Sequence, residues 1–402
     1  MNKFVSFLIL LGLWNSHSTA EESILWDGSN GRPLALEQFH PKSQLTTPNH
    51  QPDRAKFPVV DVHIHPRLRF RNVPERLDEF VQIMDEQNIA LCVSLDGQLD
   101  DQLEEHKDYL WKKYRDRFLI FANVNWQGNG RKDDPATWDC HRPGFARRIA
   151  TQLEAAKQQG AVGLKVFKQL GLGYKNPDGS LIAIDDARWD PIWKMCGQMG
   201  MPVIIHTADP VAFFEPIDQF NERWEELSRH PEWSFYGDQF PSHAELLAAR
   251  NRVMARHPET TFIGAHVANH PENLSQVAQW LDTYPNLVVE ISSRIAELGR
   301  QPFTARRFFI KYADRIMFGS DGPRPTARLL PHWRFFETSD EYFLYAENPF
   351  PPQGFWRIYG LDLPDNVLRK IYHENAARII PGVQEKLDLY LARRKPHVDS
   401  PG

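Results

Sequence analysis

"FPVVDVHIHPRLRF", residues 57–70, is the stretch that decides the fold. Its centre is apolar and β-branched, which is the composition of a buried strand. His63 and His65 interrupt it, although a parallel strand buried on both faces is normally almost entirely apolar. Because side chains at i and i+2 of a strand point the same way, both imidazoles face one side. The pair alone predicts either a metal site or hydrogen-bonded core histidines.

Seven more apolar runs follow, with amphipathic helical patterns between them. The eight runs span residues 58–65, 89–96, 118–126, 161–168, 201–207, 260–268, 286–293 and 315–323. After the first run, Leu77, Phe80, Val81 and Met84 repeat at helical spacing. Eight strands that are each followed by a helix predict a (β/α)8 barrel, an α/β fold whose sites lie at the C-terminal mouth of the strands.

Four regions are predicted along the chain. They are a signal peptide at 1–20, an N-terminal arm at 21–55, the barrel domain at 56–385 and a C-terminal tail at 386–402. The first region has an early lysine, a short apolar run and small residues up to Ala20, the pattern of a cleaved secretory signal. Its apolar run is too short for a membrane anchor, the alternative interpretation. The pattern predicts export, to a periplasm or to the medium.

The composition points to a small-molecule substrate rather than to a charged polymer. The net charge is −5, and no basic cluster indicates nucleic acid or, after signal cleavage, a membrane surface as a partner. Three cysteines in 402 residues predict buried thiols rather than a disulfide scaffold. The sequence leaves a homo-oligomer open.

Polar side chains stand at the ends of several apolar runs, where they can converge at the barrel mouth. They are His63, His65, Lys165, His206, His266 and Asp321. Neutral imidazoles and a carboxylate are ligands for divalent first-row metals, and Zn²⁺ suits three nitrogens and an oxygen. The set therefore predicts a metal-dependent site.

At this point the sequence resembles a known family. "DVHIHP", "IIHT", "GAHV", "FGSDGP" and the ending "IYHENAARIIPG" are similar to the amidohydrolase superfamily, and most to the amidohydrolase-related group that includes aminocarboxymuconate semialdehyde decarboxylase. The resemblance covers roughly 58–381 and leaves the substrate open. It implies a metal held by His63, His65, His206 and Asp321, with His266 close to the reacting group. It also implies that Asp321 and His266 share water activation or proton transfer.

Lys165 has two interpretations. In superfamily members with two metals, a lysine at the end of strand 4 is carboxylated and bridges the ions. Many decarboxylase-like relatives use one metal without this bridge. We expect one ion per chain, Zn²⁺ above other metals, and an unmodified Lys165 that pairs with Asp321 or with a substrate carboxylate. Lys168, on the opposite pleat, is expected in a loop or at the surface.

Further residues are candidates for substrate binding. Arg67, Arg69 and Arg294 follow strands and are expected either to clamp a substrate carboxylate or to form surface ion pairs. His270 and His332 follow strand 6 and strand 8, and both are candidates to reach the substrate from long loops.

Long connections leave the C-terminal ends of three strands, at 127–146, 208–245 and 323–356, and are expected to border the site. In the last of them, Phe335, Phe336 and Tyr342 are expected to wall the substrate pocket.

Three functions are compatible with the set. The leading hypothesis is a metal-dependent hydrolase of an amide, lactone or other carbonyl substrate, in which Asp321 accepts a proton from water and His266 stabilises the oxyanion. The second hypothesis is a non-oxidative decarboxylase of a small carboxylic acid on the same site. The third is a secreted binding protein with an inactive site, which the intact set of ligands disfavours.

Overall fold

The computed structural model describes residues 34–35, 38–39, 41–346 and 353–394 of the 402-residue chain. The chain divides into two compact units, Met1–Leu45 and Thr46–Gly402. The predicted signal peptide, residues 1–20, lies outside the described residues. The second unit contains all of the strands and helices that follow.

Eight parallel strands form one sheet, in the order in which they occur along the chain. They are β1 (Val59–Ile64), β2 (Ile89–Ser94), β3 (Phe118–Asn123), β4 (Gly163–Val166), β5 (Val203–Ile205), β6 (Phe262–Gly264), β7 (Leu287–Glu290) and β8 (Ile316–Met317). Each strand falls within one of the eight apolar runs, which confirms the predicted (β/α)8 barrel.

Hydrogen bonds between the first strand and the segment after the last strand close the barrel. The backbone N–H of Val62 donates to the carbonyl of Phe318 at 3.1 Å, and the N–H of Gly322 donates to the carbonyl of His63 at 3.2 Å. A parallel bridge also joins Ile64 to Gly322. The closure therefore brings the residues just after β8 directly beside the two histidines of β1.

Helices connect the strands and cover the outside of the barrel. The longer ones are α1 (Pro74–Glu86), α2 (Asp101–Tyr114), α3 (Phe145–Gln158), α4 (Asp190–Met199), α5 (His243–Arg256), α6 (Leu274–Thr283), α7 (Pro302–Lys311) and α8 (Thr326–Glu337). Helix α9 runs through three contiguous segments, Asp365–Arg369, Lys370–Glu374 and Asn375–Ile379, and α10 spans Val383–Arg394. The apolar face of α1 is buried at Leu77, Phe80, Val81 and Met84, as its spacing predicts.

The interior of the barrel is packed with side chains from alternating strand positions. Leu91, Leu119, Ile204 and Ile263 belong to one buried cluster that also contains residues of α10. Helix α10 buries Leu387 and Tyr390 in this way and runs across the boundary at 385 that the sequence predicted between barrel and tail. No helix in the described ranges has the length and apolar composition that crossing a bilayer requires.

A glycine on β4 creates the space that the interior needs. A Cβ atom at Gly163 would lie 2.4 Å from the ring of Phe121, so any side chain there would displace the ring. Two residues further along the same strand, Lys165 pairs in register with Asn123 of β3. Lys165 therefore lies above Phe121, at the C-terminal mouth of the barrel.

Candidate metal centre

The two histidines of β1 direct their Nε2 atoms at one point. His63 and His65 are buried, and their Nε2 atoms lie 3.2 Å apart. Strand β1 ends at Ile64, and a short helix begins at Pro66, so the second histidine occupies the turn between them. The i, i+2 spacing has brought both rings to the barrel mouth, where the sequence placed them.

A carboxylate holds the other nitrogen of each ring. His63 Nδ1 lies 3.0 Å from Glu290 Oε1, and His65 Nδ1 lies 2.6 Å from Asp96 Oδ1. Since an ionised carboxylate only accepts hydrogen bonds, each Nδ1 carries the proton and each Nε2 keeps its lone pair. Burial lowers the pKa of His63 well below its ordinary value, and Lys165 lowers it further, which keeps the ring neutral.

Sequence reasoning missed both carboxylates. Glu290 ends β7, is completely buried, and accepts the backbone N–H groups of His266 at 2.7 Å and Ser292 at 2.6 Å. Asp96 follows β2 and accepts the backbone N–H of Arg67 at 3.0 Å. Each is an acid directly at the end of an apolar run, which is the signal that would have found them.

A third buried acid fixes the backbone around the histidines. Asp61 accepts the backbone N–H of His63 at 3.1 Å and of Ser320 at 3.0 Å, which ties β1 to the segment after β8. Burial raises the pKa of Asp61 to about 7, and the hydrogen bonds from Ser320 oppose this rise.

Asp321 completes the group from the other side of the closure. Its Oδ1 lies 3.8 Å from His63 Nε2 and 3.7 Å from His65 Nε2, while Ser293 donates to its Oδ2 at 3.0 Å. Burial alone would raise the pKa of this carboxyl, but the two imidazoles lower it below its ordinary value. Asp321 has a left-handed backbone, with φ of 56°, which is uncommon outside glycine and indicates a constrained position.

These three atoms fit one divalent ion. His63, His65 and Asp321 offer two neutral nitrogens and an oxygen within 4.8 Å of one another. Two lone pairs and a carboxylate would repel each other at these distances without a cation between them. Tetrahedral ligands about 2.1 Å from one ion lie about 3.4 Å apart, close to the three separations seen here. A second group of ligand atoms, from His63, His266 and Glu290, also lies within 4.8 Å. Hydrogen bonds account for its closeness, because Glu290 accepts from His63 Nδ1 and from the backbone N–H of His266.

His206 stands beside this group rather than within it. It directly follows β5, and its ring centroid lies 4.5 Å from that of His266. Its Nε2 faces Asp209 Oδ1 at 3.3 Å, and the ring is not among the ligand atoms that converge within 4.8 Å in the described residues. Burial lowers the pKa of His206 to about 4, against the effect of the Asp209 carboxylate.

Lys168 lies in the connection after β4, which ends at Val166, and a connection was one of its two expected locations. Its side chain is 29% exposed, and its ammonium forms an ion pair with Asp209 and lies 5.1 Å from the ring centre of Phe235. The alternation of a strand does not apply at residue 168, because the strand has already ended.

His266 occupies a strained turn directly after β6. Residues 266–269 all have left-handed backbone, a conformation that costs about 1–2 kcal/mol per non-glycine residue. His266 Nδ1 donates to the carbonyl of Ser292 at 2.8 Å, so the neutral ring directs a lone pair, not an N–H, from Nε2. Burial lowers the pKa of His266 well below its ordinary value, and His206 lowers it further. Strain of this kind is concentrated at functional sites.

Lys165 is a buried ammonium at the same mouth. The residue is 2% exposed, and its Nζ has no hydrogen-bond partner among the residues that the structure describes. The expected pairing with Asp321 is absent from the ion pairs of those residues, and Nζ instead lies 5.2 Å from the ring centre of Phe167. Burial lowers the pKa of Lys165 to about 8, although Glu290 and Asp321 oppose the shift.

A cavity of about 430 Å³ opens next to the centre, with His206, His266 and Asp321 in its wall. Arg294 also lines it, is 6% exposed, and donates from Nη1 to the carbonyl of Ser293 at 2.8 Å. The connection 208–245 contributes a large part of the opposite wall, as expected from its length.

The other candidates for substrate binding lie at different places. Arg67 faces Glu105 at 3.6 Å, and Arg69 donates to the backbone carbonyl of Asp321 at 3.2 Å. His332 lines a small recess beside the cavity. His270 lines a separate groove of about 1120 Å³, so the structure does not bring it to the centre.

One expectation about the last long connection is wrong, and the place of 127–146 beside the site stays a prediction. Residues of 127–146 line another cavity, whose described lining contains no histidine. Phe335 and Phe336 lie in α8 and are completely buried against the core. The ring centroid of Phe336 lies 5.6 Å from that of Phe309. Tyr342, in contrast, is 41% exposed. None of the three lines the central cavity. Phe335 and Phe336 do not reach it because α8 turns its apolar face to the barrel, whereas Tyr342 lies beyond the end of that helix.

Three comparisons relate this chain to known proteins. An amidohydrolase family model matches residues 60–382. No curated protein matches the chain. Among solved structures, the chain is similar to a 2,6-dihydroxybenzoate decarboxylase complexed with 2,6-dihydroxybenzoate, at 18% identity over 81% of this chain and 99% of that chain, with a TM-score of 0.46.

Two other solved structures are similar at comparable levels. A dihydroxybenzoic acid decarboxylase from Polaromonas sp. JS666, with bound manganese and 2-nitroresorcinol, is 17% identical over 86% of this chain and 100% of that chain, with a TM-score of 0.47. A dihydroorotase from Campylobacter jejuni is 13% identical over 80% of this chain and 82% of that chain, with a TM-score of 0.45. The matched range 60–382 contains every residue of the metal centre and its supporting acids, and the chain belongs to the amidohydrolase family.

Proposed function

We propose that this protein is a metal-dependent hydrolase of a small amide, lactone or other carbonyl substrate. The observation that supports it is the convergence of two imidazole lone pairs and the Asp321 carboxylate at the mouth of the barrel, with each imidazole oriented by a buried acid. His63, His65 and Asp321 would hold one divalent ion, which we propose to be Zn²⁺, and family resemblance adds His206 as a fourth ligand. Such an ion lowers the pKa of water and polarises a carbonyl group.

Asp321 is the proton acceptor in this proposal. Its pKa is lowered despite burial, so it is ionised at neutral pH, and Ser293 fixes the carboxylate through Oδ2 while Oδ1 faces the histidines. A carboxylate positioned in this way can accept the proton of water and return it to the leaving group.

His266 is better suited to accept a proton than to stabilise an oxyanion. Its one N–H is used by the carbonyl of Ser292, so the neutral ring has no hydrogen left to donate to a negative oxygen. This differs from the role that the sequence suggested. The buried ammonium of Lys165, which has no partner in the described part of the chain, is the better candidate to donate to developing negative charge.

Decarboxylation is the second candidate, and one observation favours it. Four guanidinium groups line the cavity beside the centre, and those of Arg294, Arg324 and Arg328 remain when Arg223, which is paired with Glu226 and Glu297, is set aside. Guanidinium groups recognise carboxylates well, so an acid could bind there while a protein group protonates carbon.

Isotopic labelling separates the two reactions on any substrate found by a screen of lactones, amides and aromatic carboxylates. A hydrolase incorporates one oxygen from H₂¹⁸O into the product acid and releases no gas. A decarboxylase releases CO₂ and incorporates deuterium from D₂O on carbon. We expect the first result, and the second would replace the hydrolase with a carboxy-lyase.

Export is a separate proposal that rests on the residue pattern of 1–20 alone. N-terminal sequencing of the protein secreted by its own host should start at residue 21. A mature protein that still begins at Met1 would contradict it. Sedimentation of the same material would establish whether the chain forms a homo-oligomer, which stays a prediction.

A further inference from the structure

The cavity beside the centre contains more positive charge than its own acids can balance. Its described lining includes five basic side chains and three acidic ones, and two of the five bases are already paired with acids other than Asp321. Lys168 forms an ion pair with Asp209, and Arg223 forms ion pairs with Glu226 and with Glu297. Arg294, Arg324 and Arg328 remain, with Asp321 as the one lining acid left for them.

The partners of these three guanidinium groups are few. Arg324 donates to the carbonyl of Ser320 at 3.1 Å and to Ser293 Oγ at 3.2 Å, and its Nη2 lies 3.6 Å from Asp321 Oδ2. Arg294 Nε is buried without a hydrogen-bond partner in the described residues. Arg328 is exposed, and within 41–346 and 353–394 its guanidinium makes no hydrogen bond or ion pair.

The positive groups are close enough to repel one another. Burial lowers the pKa of Arg324, Asp321 opposes this, and both Arg69 and Arg328 lower it again. When the Asp321 carboxylate also binds the metal ion, its negative charge is divided between that ion and Arg324. It then balances the charge of Arg324 only in part. Unbalanced charges of one sign in a cavity attract a ligand of the opposite sign.

A recess of about 80 Å³ next to the cavity has the dimensions for one ligand group. It shares Ser293, Arg324, Arg328 and Gln353 with the larger cavity and adds His332. A water molecule occupies about 30 Å³ of liquid, so the recess has room for a group the size of a carboxylate.

Two acceptors complete the lining of this recess. His332 Nδ1 donates to the carbonyl of Arg328 at 3.1 Å, so the neutral ring presents Nε2 as an acceptor, and this atom is buried without a partner in the described residues. Gln353 Oε1 is a second buried acceptor that has no hydrogen-bond partner in the described residues. Burial lowers the pKa of His332 to about 4, in agreement with a neutral ring. Unpaired acceptors favour a ligand that also donates a hydrogen bond, such as a hydroxyl or an amide N–H.

We propose that Arg294, Arg324 and Arg328 form a subsite for a substrate carboxylate, so that the substrate is a small carbonyl compound that carries a separate carboxylate and a hydroxyl or amide N–H group. This inference rests on the proposed function for the location of the reacting carbon beside His63 and Asp321. It adds a substrate class and two arginines, Arg324 and Arg328, that the sequence did not single out.

Calorimetric titration of the purified full-length protein tests the subsite without a known substrate. The probes are the monomethyl esters of succinate, glutarate and adipate, each compared with its uncharged dimethyl ester. We expect at least one monomethyl ester to bind about tenfold more tightly than its dimethyl ester, because only the monomethyl ester has a carboxylate that accepts charge-assisted hydrogen bonds from the guanidinium groups. Arg328→Gln and Arg324→Gln should remove that preference, while Arg393→Gln, an exposed arginine paired with Asp116, should keep it.

Arg328→Gln is the cleaner variant, because that side chain is exposed and its loss leaves no buried partner behind. A metal-loaded protein in which every monomethyl ester binds no better than its dimethyl ester would overturn the subsite and leave the hydrolase intact. A preference that survives in both arginine variants would overturn the subsite in the same way. A preference that disappears in both variants of a protein that holds no metal would support the subsite and remove the proposed hydrolase.

Discussion

His63 Nε2 and His65 Nε2 lie 3.2 Å apart, and the opposite nitrogen of each ring is held by a buried carboxylate. This arrangement fixes the tautomer of both rings and leaves two lone pairs facing one space. Neither nitrogen can hydrogen-bond to the other in that state. The relationship is therefore the main reason to expect a cation at this end of the barrel.

The first prediction concerns metal content. The purified chain should hold one divalent ion, and His63→Ala should lose it while keeping a wild-type circular dichroism spectrum, because a mouth ligand is positioned by the barrel rather than needed to build it. Elemental analysis by mass spectrometry measures the ion. His230→Ala, at an exposed histidine, is the matched control. A full complement of metal in His63→Ala would contradict the assignment.

The second prediction concerns the acid behind His65. The two oxygens of Asp96 accept hydrogen bonds from His65 Nδ1 and from the backbone N–H of Arg67. Asp96→Asn replaces one of these oxygens by an NH₂ group, so one of the two hydrogen bonds is lost. Substitution of such supporting carboxylates typically weakens metal binding about 10–100-fold. Competition with a chelator measures the change, and Asp108→Asn on the exposed face of α2 should leave the affinity unaltered. Equal affinities in both variants would show that Asp96 does not orient the ligand.

The third prediction follows from the buried ammonium of Lys165. Burial lowers its pKa to about 8 from its ordinary value of 10.5, so the charged form is less favourable in the folded chain than in the unfolded chain. The resulting loss of folding stability is complete below pH 8, where the amine is protonated in the folded and the unfolded chain. It disappears as the pH rises to 10.5, because the amine then loses its proton in both the folded and the unfolded chain. Lys165→Met should therefore stabilise the metal-free protein by about 1–3 kcal/mol at neutral pH, with a smaller gain above pH 8.

Urea unfolding at several pH values measures this gain, with Lys132→Met at an exposed position as the control. The same variant should lose most of its activity, and the wild-type chain should have an unmodified Lys165 and one ion. A mass increase of one CO₂ under native conditions, together with two ions per chain, would refute the unmodified lysine. Destabilisation by Lys165→Met at pH 7 would show that the ammonium has a partner in solution.

The fourth prediction separates the core of α8 from the cavity. Phe336 is completely buried, and its ring centroid lies 5.6 Å from that of Phe309 and 6.0 Å from that of Tyr372. Phe336→Ala should lower the free energy of unfolding by about 3–5 kcal/mol, as for other buried phenylalanines. Tyr342→Ala, at a side chain that is 41% exposed, should change it by less than about 0.5 kcal/mol. An altered KM with an unchanged free energy of unfolding in Phe336→Ala would show that this ring borders the substrate pocket.

The barrel and the two histidines of β1 were predictable because they depend on local patterns. Eight apolar runs with helical patterns between them define the strand order, and the spacing of His63 and His65 fixes their common face. Strand ends also place Asp321 and His266 correctly at the mouth. Each of these inferences needs only a period and the rule that barrel sites lie at the C-terminal ends of strands.

The supporting acids and the fate of the last long connection were not predictable in this way. Glu290 is 227 residues from His63, and nothing local indicates which acid will lie behind which ring. Lys168 follows the end of its strand at Val166, and nothing local indicates that it pairs with Asp209, 41 residues away. Phe335 turned out to be core because a helix, not a loop, follows the barrel closure. In all three cases the outcome depends on tertiary contacts that sequence periodicity does not contain.

The last prediction concerns the protonation of His266. Burial and the neighbouring His206 lower its pKa well below the ordinary histidine value, and its Nδ1–H is committed to the carbonyl of Ser292. The ring should therefore stay neutral at neutral pH and through the range where an unperturbed histidine, with a pKa of about 6.5, gains its proton. Nitrogen-15 resonance of histidine-labelled full-length protein measures this directly, with His266→Gln to identify the signal.

The same variant tests the role of the lone pair. His266→Gln keeps an N–H that can donate to Ser292, so the strained turn should persist, while the proton acceptor is lost. We expect metal content close to that of the wild type and a fall in kcat of about 10²–10⁴-fold, the usual contribution of an acid–base group. If the His266 signal titrates near pH 6.5 instead, a substantial fraction of the rings carries a proton on Nε2 near neutral pH, and the oxyanion role inferred from sequence regains its basis.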